Sequence, residues 1–416
     1  MMMPVSVLGV WMWPDSLKKS GAESAVARCA RMGVTDVFFL TKGLAGTVAY
    51  ASETAPCEPG TDLLRDLLDC AHRRGIRVHA WLTSASDERY KALHPESGRC
   101  HLTRGRDKGL ISLTDAGYLA YMQKVVRELC GRYAIDGLHL DYIRYNHLMY
   151  GWDESDRARY AAAGADLDHV HSLMERTFLK GDSSESDCIF DALRQGDPSV
   201  RAVAQVRRED VRRFAQTLCS AARGENKALA LSAALMPEGA YADTAFADLH
   251  YGQSYADAAG LYDFVLPMAY SKAYEKNGAW VRSVAEGTLK FGVRVVMGLH
   301  AYDGGTADTL RRDMEALNGL AIDGVCLFRE GAFVPFFYDG EKLTLYNALE
   351  APLTGIRAGT QEIVFHPPVQ PGEERILPLP CPPEAIRVFA GEKEVCAYVA
   401  GSEPFHKKPA FYHPNV

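Results

Sequence analysis

Short hydrophobic segments with the composition of β-strands alternate along the chain with amphipathic segments of helical periodicity. Eight segments are predicted as strands: Val5–Trp13, Val34–Lys42, Arg77–Ser84, Gly137–Tyr145, Ala228–Met236, Asp263–Ser271, Arg294–Tyr302 and Gly324–Glu330. The helical patterns are Gly21–Met32, Leu63–Arg74, Tyr118–Tyr133, Arg207–Ala222, Ala279–Phe291 and Thr309–Leu317. Strands that alternate with helices pair in parallel, and eight such units close a (β/α)8 TIM barrel. The rival open sheet would need a Gly-x-Gly-x-x-Gly loop after the first strand, and the sequence has none there.

Two segments depart from this alternation. Residues 146–206 form a long insertion after the fourth strand, which is either a lid or substrate wall or an ordinary surface excursion. From residue 351 the chain is rich in proline and has two β-like segments, Ala385–Phe389 and Val395–Val399. We therefore predict an α/β barrel domain over residues 1–350, followed by a small β-like extension over residues 351–416.

The amino-acid composition limits which binding partners and which cellular compartment we expect for the protein. With 416 residues, 47% of them hydrophobic, the chain can bury a large core, and its net charge of −7 offers no footprint for nucleic acid or anionic membrane. No hydrophobic run is long enough to span a bilayer. The 10 Cys are scattered, without a Cys-x-x-Cys pair, and Val5–Trp13 lacks the features of a signal peptide. We expect a cytoplasmic protein without a cofactor, and the sequence leaves its oligomeric state open.

The fourth strand carries the clearest candidate chemistry. In the segment Gly137–Tyr142 the two leucines suit the helix layer, so His139 and Asp141 should point into the barrel, with Asp141 at the mouth. An interior carboxylate is costly unless it is paired or used. Arg144 follows three residues later and would hold Asp141 ionised or bind substrate, although a purely structural ion pair is the alternative.

The same alternation places further side chains at the mouth of the barrel. The second carboxylate is predicted to be Glu330, at the end of the eighth strand, where Phe328 would help to form apolar surroundings that keep an acid protonated. Glu238, after the fifth strand, and Asp303, after the seventh, are competing acids. The predicted substrate-binding residues are Trp13, Lys42, His79, Trp81, His139, Tyr142, Arg144, Tyr145, Glu238, Met268, Tyr270, His300 and Tyr302.

Aromatic rings, two carboxylates and basic groups at one rim suit a sugar, since rings stack on pyranose faces while charged groups take the hydroxyls. Glycoside hydrolysis needs a protonated acid and an ionised carboxylate, roles that we give to Glu330 and Asp141. The alternatives are a carbohydrate-binding barrel without turnover and a metal-dependent hydrolase built on His79, His139 and His300. No Gly-x-Ser-x-Gly motif supports a serine nucleophile.

Five segments together resemble a known family. Asp136–Tyr145 is similar to the signature DGIHLDYIRY of the family-10-like glycosyl hydrolases, and Val78–Trp81 resembles their third-strand VHAW. Arg207–Val211 resembles the start of their basic helix, while Tyr251–Gln253 and Asp263–Tyr270 resemble their YGQDW and VDFVxPMxY motifs. The resemblance implies a TIM barrel that acts on carbohydrate, with Asp141 as the catalytic carboxylate. One departure is Ser254-Tyr255, where relatives have Asp-Trp, which would alter specificity if the pair lines a sugar subsite.

Overall fold

The computed structural model describes residues 7–31, 33–179, 187–300, 307–330, 336–338, 342–347, 351–371, 373–379 and 385–399. Numbered in chain order, the barrel strands are β1 (Val7–Met12), β2 (Asp36–Lys42), β3 (Arg77–Thr83), β6 (Gly137–Asp141), β7 (Ala230–Leu235), β8 (Phe264–Pro267), β9 (Arg294–His300) and β10 (Gly324–Phe328). They pair in parallel and close in the order β1-β2-β3-β6-β7-β8-β9-β10. The predicted (β/α)8 TIM barrel is confirmed. Strands β4 (Gly98–His101) and β5 (Gly105–Ile111) form a hairpin between β3 and β6.

Helices surround the barrel, and several of them begin at an aspartate. They are α1 (Pro14–Arg31), α2 (Leu63–His72), α3 (Glu88–Leu93), α4 (Ala116–Arg132), α5 (Glu154–Ala162), α6 (Leu167–Phe178), α7 (Cys188–Arg194), α8 (Pro198–Glu225), α9 (Tyr255–Ala259), α10 (Gly278–Leu289) and α11 (Ala307–Ala316). Asp62, Asp115 and Asp153 accept hydrogen bonds from backbone N–H groups of the first turns that they precede, which satisfies donors that a helix start leaves open. Among the described helices, none has the length and hydrophobicity that crossing a membrane requires.

Two layers of packing hold the barrel together. The outward-facing side chains of the strands pack on the helices in one large core, which includes Val10, Val37, Val78 and Leu138. A smaller cluster fills the inside of the barrel and is mostly aromatic, with Trp11, Phe38, Trp81 and Phe264 among its members. The inside of the barrel is therefore filled with side chains, and it is open only at the ends of the strands.

The insertion after β6 folds around a core of its own. Helices α5, α6, α7 and the first turns of α8 surround a buried cluster that includes Leu148, Trp152, Val170 and Phe190. The crossover helix α8 starts at Pro198, so the predicted end of the insertion at residue 206 falls inside this helix. Farther along α8, Phe214 and Leu218 pack in the barrel core instead.

In the residues that the structure describes, the C-terminal extension forms two antiparallel sheets. One contains β11 (Phe336–Tyr338), β12 (Lys342–Tyr346) and β15 (Glu374–Pro378), and the other contains β13 (Leu353–Ala358), β14 (Gln361–Val369), β16 (Ala385–Ala390) and β17 (Lys393–Val399). Residues from both sheets, such as Leu345 and Ile356, share one small core. Because β12 pairs with β15, this unit begins before residue 351.

Candidate active site

Asp141, the last residue of β6, lies at the mouth of the barrel with its carboxylate surrounded by N–H donors. The Trp81 indole donates to Oδ2 at 3.2 Å, while the backbone N–H of Tyr142 and the guanidinium of Arg144 donate to Oδ1 at 2.6 and 3.2 Å. Tyr142 has a φ of 56°, and this left-handed backbone turns the chain sharply where the strand ends. Asp141 is 5% exposed, so it is a buried acceptor held by a donor from the neighbouring strand β3 and by two donors from the loop that follows β6.

Glu238 provides a second carboxyl group, close enough to Arg144 for the charge of this arginine to lower its pKa. It lies in a short 3₁₀ helix, Pro237–Ala240, which directly follows β7. The hydroxyls of Tyr251 and Tyr274 donate long hydrogen bonds to Oε1 and Oε2, at 3.4 and 3.5 Å. Burial raises the pKa of Glu238, and the positive charge of Arg144 opposes this shift only in part. The carboxyl is half-buried, as an acid that must reach a substrate has to be.

An aromatic wall completes the mouth on the side of β8 to β10. The Tyr270 ring lies 5.4 Å from the His300 ring and 5.7 Å from the Phe328 ring, measured between centroids. Trp13 follows β1 and packs against Phe328, with the Arg329 guanidinium 4.2 Å above its indole. Half-buried Met268 lies between β8 and Tyr270. These side chains offer ring faces and edges next to the carboxyl groups.

A buried amide joins the loops that carry the two carboxyl groups. Gln253 donates to the carbonyl of Ile143 at 3.0 Å, in the loop after β6, and accepts from the backbone N–H of Met236 at 3.0 Å, at the end of β7. Tyr255 is 1% exposed and its hydroxyl donates to the carbonyl of Met236. Tyr255 therefore stabilises the loop after β7, and Ser254 caps α9. Neither side chain alters a sugar subsite directly.

Glu330 does not occupy the place predicted for it. Its side chain is 1% exposed and points to the helix layer, where Nε and Nη2 of Arg28 on α1 both lie 3.0 Å from its Oε1. Strand β10 ends at Phe328, so the alternation that placed Glu330 inside the barrel stops two residues before it. The prediction that the Glu330 side chain lines the mouth of the barrel is wrong.

Lys42 and Tyr145 are also enclosed rather than turned to the mouth. A bulge between Leu40 and Lys42 interrupts the alternation in β2, and the Lys42 ammonium, 0% exposed, pairs with Asp87 at 3.0 Å. Tyr145 is 2% exposed and donates to Asp210, beneath the insertion. Both side chains stabilise loops around the site. They are buried too deeply to make the predicted contact with substrate.

Two of the predicted histidines point inward but lie below the mouth. His79 pairs with β6 at Gly137, the first residue of that strand, and bonds to Asp36 at 2.9 Å near the opposite end of the barrel. His139 is 0% exposed, with Trp11 donating to Nε2 at 3.3 Å and Ser232 next to Nδ1 at 2.9 Å. Burial lowers the pKa of His139 well below its ordinary value, so this ring is neutral.

The predicted site residues thus divide into groups. The structure brings Asp141, Trp81, Tyr142, Arg144 and Glu238 together, and it places Tyr270, His300, Met268 and Trp13 along the wall. Tyr302 and the competing acid Asp303 lie outside the described residues. Within the described ranges, no group of three or more His, Cys, Asp or Glu side chains could hold a metal ion.

Three residues of the site escaped the sequence-based prediction of roles. Tyr251 and Tyr274 bond to Glu238, and Gln253 joins the two loops. Tyr251 and Gln253 belong to the Tyr-Gly-Gln segment that marked the family resemblance, so that motif was the available signal. Tyr274 lies four residues beyond Tyr270 in a turn, where no periodicity fixes the direction of a side chain.

A closed (β/α)8 barrel with carboxyl groups at the carboxyl ends of its strands has the arrangement in which barrel enzymes place their active sites. The sequence model of the family described as glycosyl hydrolase-like 10 matches residues 36–303, and the chain belongs to this family. The resemblance drawn from the fourth-strand motif is confirmed. No protein of curated function matches the chain closely.

Several solved structures with the same fold are glycoside hydrolases. The glycoside hydrolase domain of PgaB (BpsB) from Bordetella bronchiseptica is 14% identical, with a TM-score of 0.59 over 79% of this chain and 94% of that one. The catalytic domain of beta-amylase from Paenibacillus polymyxa is 10% identical, with a TM-score of 0.56 over 79% and 93%. A beta-galactosidase from Bacillus circulans sp. alkalophilus is 12% identical, with a TM-score of 0.54 over 79% and 51%. At these identities the likeness concerns the fold.

Proposed function

We propose that the protein hydrolyses a glycosidic bond, with Asp141 as the ionised carboxylate and Glu238 as the general acid. The observation that carries this proposal is a pair of carboxyl groups in different surroundings, Asp141 bonded to Arg144 and Glu238 within the range of its charge. Asp141 is occupied by three N–H donors and acts as an acceptor, whereas burial raises the pKa of Glu238. Two carboxyl groups with divergent environments are what glycoside hydrolysis requires.

The assignment of the acid to Glu238 rests on its access and its contacts. Glu238 is half-buried at the mouth, while Glu330 is enclosed against Arg28. Tyrosine hydroxyls at 3.4 and 3.5 Å can turn with the carboxyl when a substrate arrives, since catalytic hydrogen bonds are often long before binding. In the proposed reaction, Glu238 protonates the leaving oxygen as the bond to the anomeric carbon breaks. Asp141 either attacks that carbon or activates the water that does so.

The aromatic wall supports a carbohydrate as the substrate. Tyr270, Phe328 and Trp13 present rings that can stack on the apolar face of a pyranose, and Arg144 has further N–H groups for sugar oxygens. Membership of the glycosyl hydrolase-like 10 family and the likeness to the PgaB, beta-amylase and beta-galactosidase barrels point the same way. We propose an oligo- or polysaccharide as the substrate class.

The test is hydrolysis of a glycan and aryl-glycoside panel by the wild type and by the variants Asp141→Asn, Glu238→Gln and Glu330→Gln. We expect the first two variants to lose at least about a hundredfold in kcat on glycans. Glu238→Gln should lose far less on aryl glycosides with acidic leaving groups, because these depart without protonation. Glu330→Gln is the matched control, a buried carboxyl without access to substrate. Melting curves confirm that each variant is folded.

The outcomes separate the alternatives. A hundredfold loss in Glu330→Gln, with Glu238→Gln active, would return the acid to Glu330. Loss at Asp141 alone would direct the search to Asp303. If the wild type cleaves nothing while sugars raise its melting temperature, the protein is a carbohydrate-binding barrel and the hydrolase proposal fails.

A further inference from the structure

The loop after β8 is fixed to the protein interior at one position. Residues 271–277 connect the site to α10, and Ser271 is the one residue of this loop that is fully buried. Its hydroxyl donates to Oδ2 of Asp313 on α11 at 2.5 Å. The other residues of the loop are half-buried or exposed. The bond from Ser271 to Asp313 is thus the tie between this loop and the helix layer.

Asp313 is an unusual residue for its position. It lies in the last turn of α11, 1% exposed, and not at the helix start, where an aspartate would cap open N–H groups. Burial raises its pKa to about 6, although Ser271 and the neighbouring Arg312 both favour the ionised form. A buried carboxyl is unfavourable unless its contacts are used. The described contact that it makes is the one with Ser271.

Two tyrosines of the candidate site flank this tie. Tyr270 directly precedes Ser271, and Tyr274 follows three residues later. The turn between them is closed by backbone bonds, from the Tyr274 N–H to the Tyr270 carbonyl at 3.1 Å and from the Lys276 N–H to the Ser271 carbonyl at 2.8 Å. A shift of Ser271 therefore moves both tyrosines. The Trp280 ring on α10 stacks on Tyr274 with centroids 5.0 Å apart and limits the motion of Tyr274 from the other side.

We propose that Asp313 is a positioning residue for the general acid: through Ser271 it holds the Tyr274 hydroxyl against Glu238. This inference rests on the proposed role of Glu238, but the contact that it describes exists whether or not the protein is a hydrolase. Asp313 touches neither substrate nor Glu238. Its effect reaches the site through a hydrogen bond and one turn of loop backbone.

The direct test is a ¹³C NMR titration of the Glu238 carboxyl in protein labelled at the glutamate side chains. The signal is assigned by its absence in Glu238→Gln. Tyr274→Phe removes a donor to the ionised carboxyl, so we expect it to raise the pKa of Glu238. Ser271→Ala and Asp313→Ala should raise it in the same direction, since they release Tyr274. Asp313→Asn keeps an oxygen acceptor for Ser271 and should behave as the wild type.

A double variant separates positioning from general loosening. If the tie acts through Tyr274, Ser271→Ala has no further effect on the pKa of Glu238 in the Tyr274→Phe background. The inference is overturned if Ser271→Ala and Asp313→Ala lower the melting temperature but leave the pKa unchanged, or if Tyr274→Phe itself has no effect. Should Asp313→Ala fail to fold, Ser271→Ala and Asp313→Asn still decide the question.

Kinetics distinguish this inference from the proposed function. In an active enzyme, the alkaline limb of kcat/KM should move to higher pH in Tyr274→Phe and Ser271→Ala, in step with the titration. If the pKa of Glu238 shifts as expected and no variant or wild type hydrolyses a glycoside, the proposed function fails while the positioning role stands. If hydrolysis occurs and the pKa does not respond to Ser271, the reverse holds.

Discussion

The ion pair between Arg28 and Glu330 gives the sharpest test of the corrected site. Both side chains are 1% exposed, and Oε1 of Glu330 is shared by Nε and Nη2 of Arg28 at 3.0 Å. Glu330→Gln keeps the shape of the side chain but leaves the guanidinium buried without a counter-charge. Removal of one partner from a buried pair costs about 3–5 kcal/mol of unfolding free energy. We therefore expect Glu330→Gln to reduce stability and to leave the chemistry intact.

The size of the effect on melting follows from the length of the chain. An unfolding entropy of about 0.9 kcal/mol per kelvin is typical of 416 residues, so the loss corresponds to a fall in Tm of roughly 3–6 °C. Differential scanning calorimetry and urea unfolding measure it, and kcat is measured below the transition. The control is the double variant Arg28→Met/Glu330→Leu, which should regain most of the stability because apolar partners replace the whole pair.

Two results would refute this reasoning. A Glu330→Gln variant that melts within about 1 °C of the wild type would mean that the pair is not the buried contact described. A variant that keeps its Tm but loses a hundredfold in kcat would mean that Glu330 takes part in the chemistry.

Three further outcomes are expected. The kcat/KM of the wild type should fall as the pH rises through the raised pKa of Glu238, above the ordinary 4.5, and pH profiles of Glu238→Gln should lack this limb. Because the pKa of Asp313 is about 6 rather than 3.8, the folded protein holds this proton more tightly than the unfolded chain. The unfolding free energy of the wild type should therefore decline between about pH 4 and 6. At pH 7, urea unfolding should show Asp313→Asn to be more stable than the wild type by up to about 3 kcal/mol. Equal stabilities of the two proteins at pH 7 would contradict the raised pKa of Asp313. Lys42→Met leaves the carboxylate of Asp87 buried without a counter-charge, so the variant should lose about 3–5 kcal/mol of unfolding free energy without a change in KM. A tenfold rise in KM at unchanged Tm would instead show that Lys42 contacts the substrate.

The alternation of inward and outward side chains predicted the direction of the side chains correctly where the strands continue. All eight predicted strands are present, and within β3 and β6 the side chains of Trp81, His139 and Asp141 point inward as expected. Beyond the strand ends the rule has no basis, because the backbone is no longer pleated. Glu330 was misplaced for this reason, and the bulge in β2 misplaced Lys42.

Whether a side chain points into the barrel and how close it lies to the mouth are separate questions. Periodicity assigned His79 to the inside but could not show that it pairs with the first residue of β6, far from the mouth. The interior of such a barrel is filled in layers, so only the last inward residue of a strand reaches the substrate face. Tyr251 and Tyr274 depend on loop conformations that arise from tertiary contacts, such as the tie between Ser271 and Asp313. Their roles required the structure.

The separate core of the insertion bears on how this scaffold can diversify. Helices α5, α6 and α7 enclose their own hydrophobic cluster and share with the barrel the helix α8, whose first turns pack in this cluster. Substitutions inside that cluster can therefore change the shape of the insertion without repacking the strand that holds Asp141. The insertion can thus diverge in sequence independently of the loops that carry Asp141 and Glu238, because these loops are joined separately by Gln253.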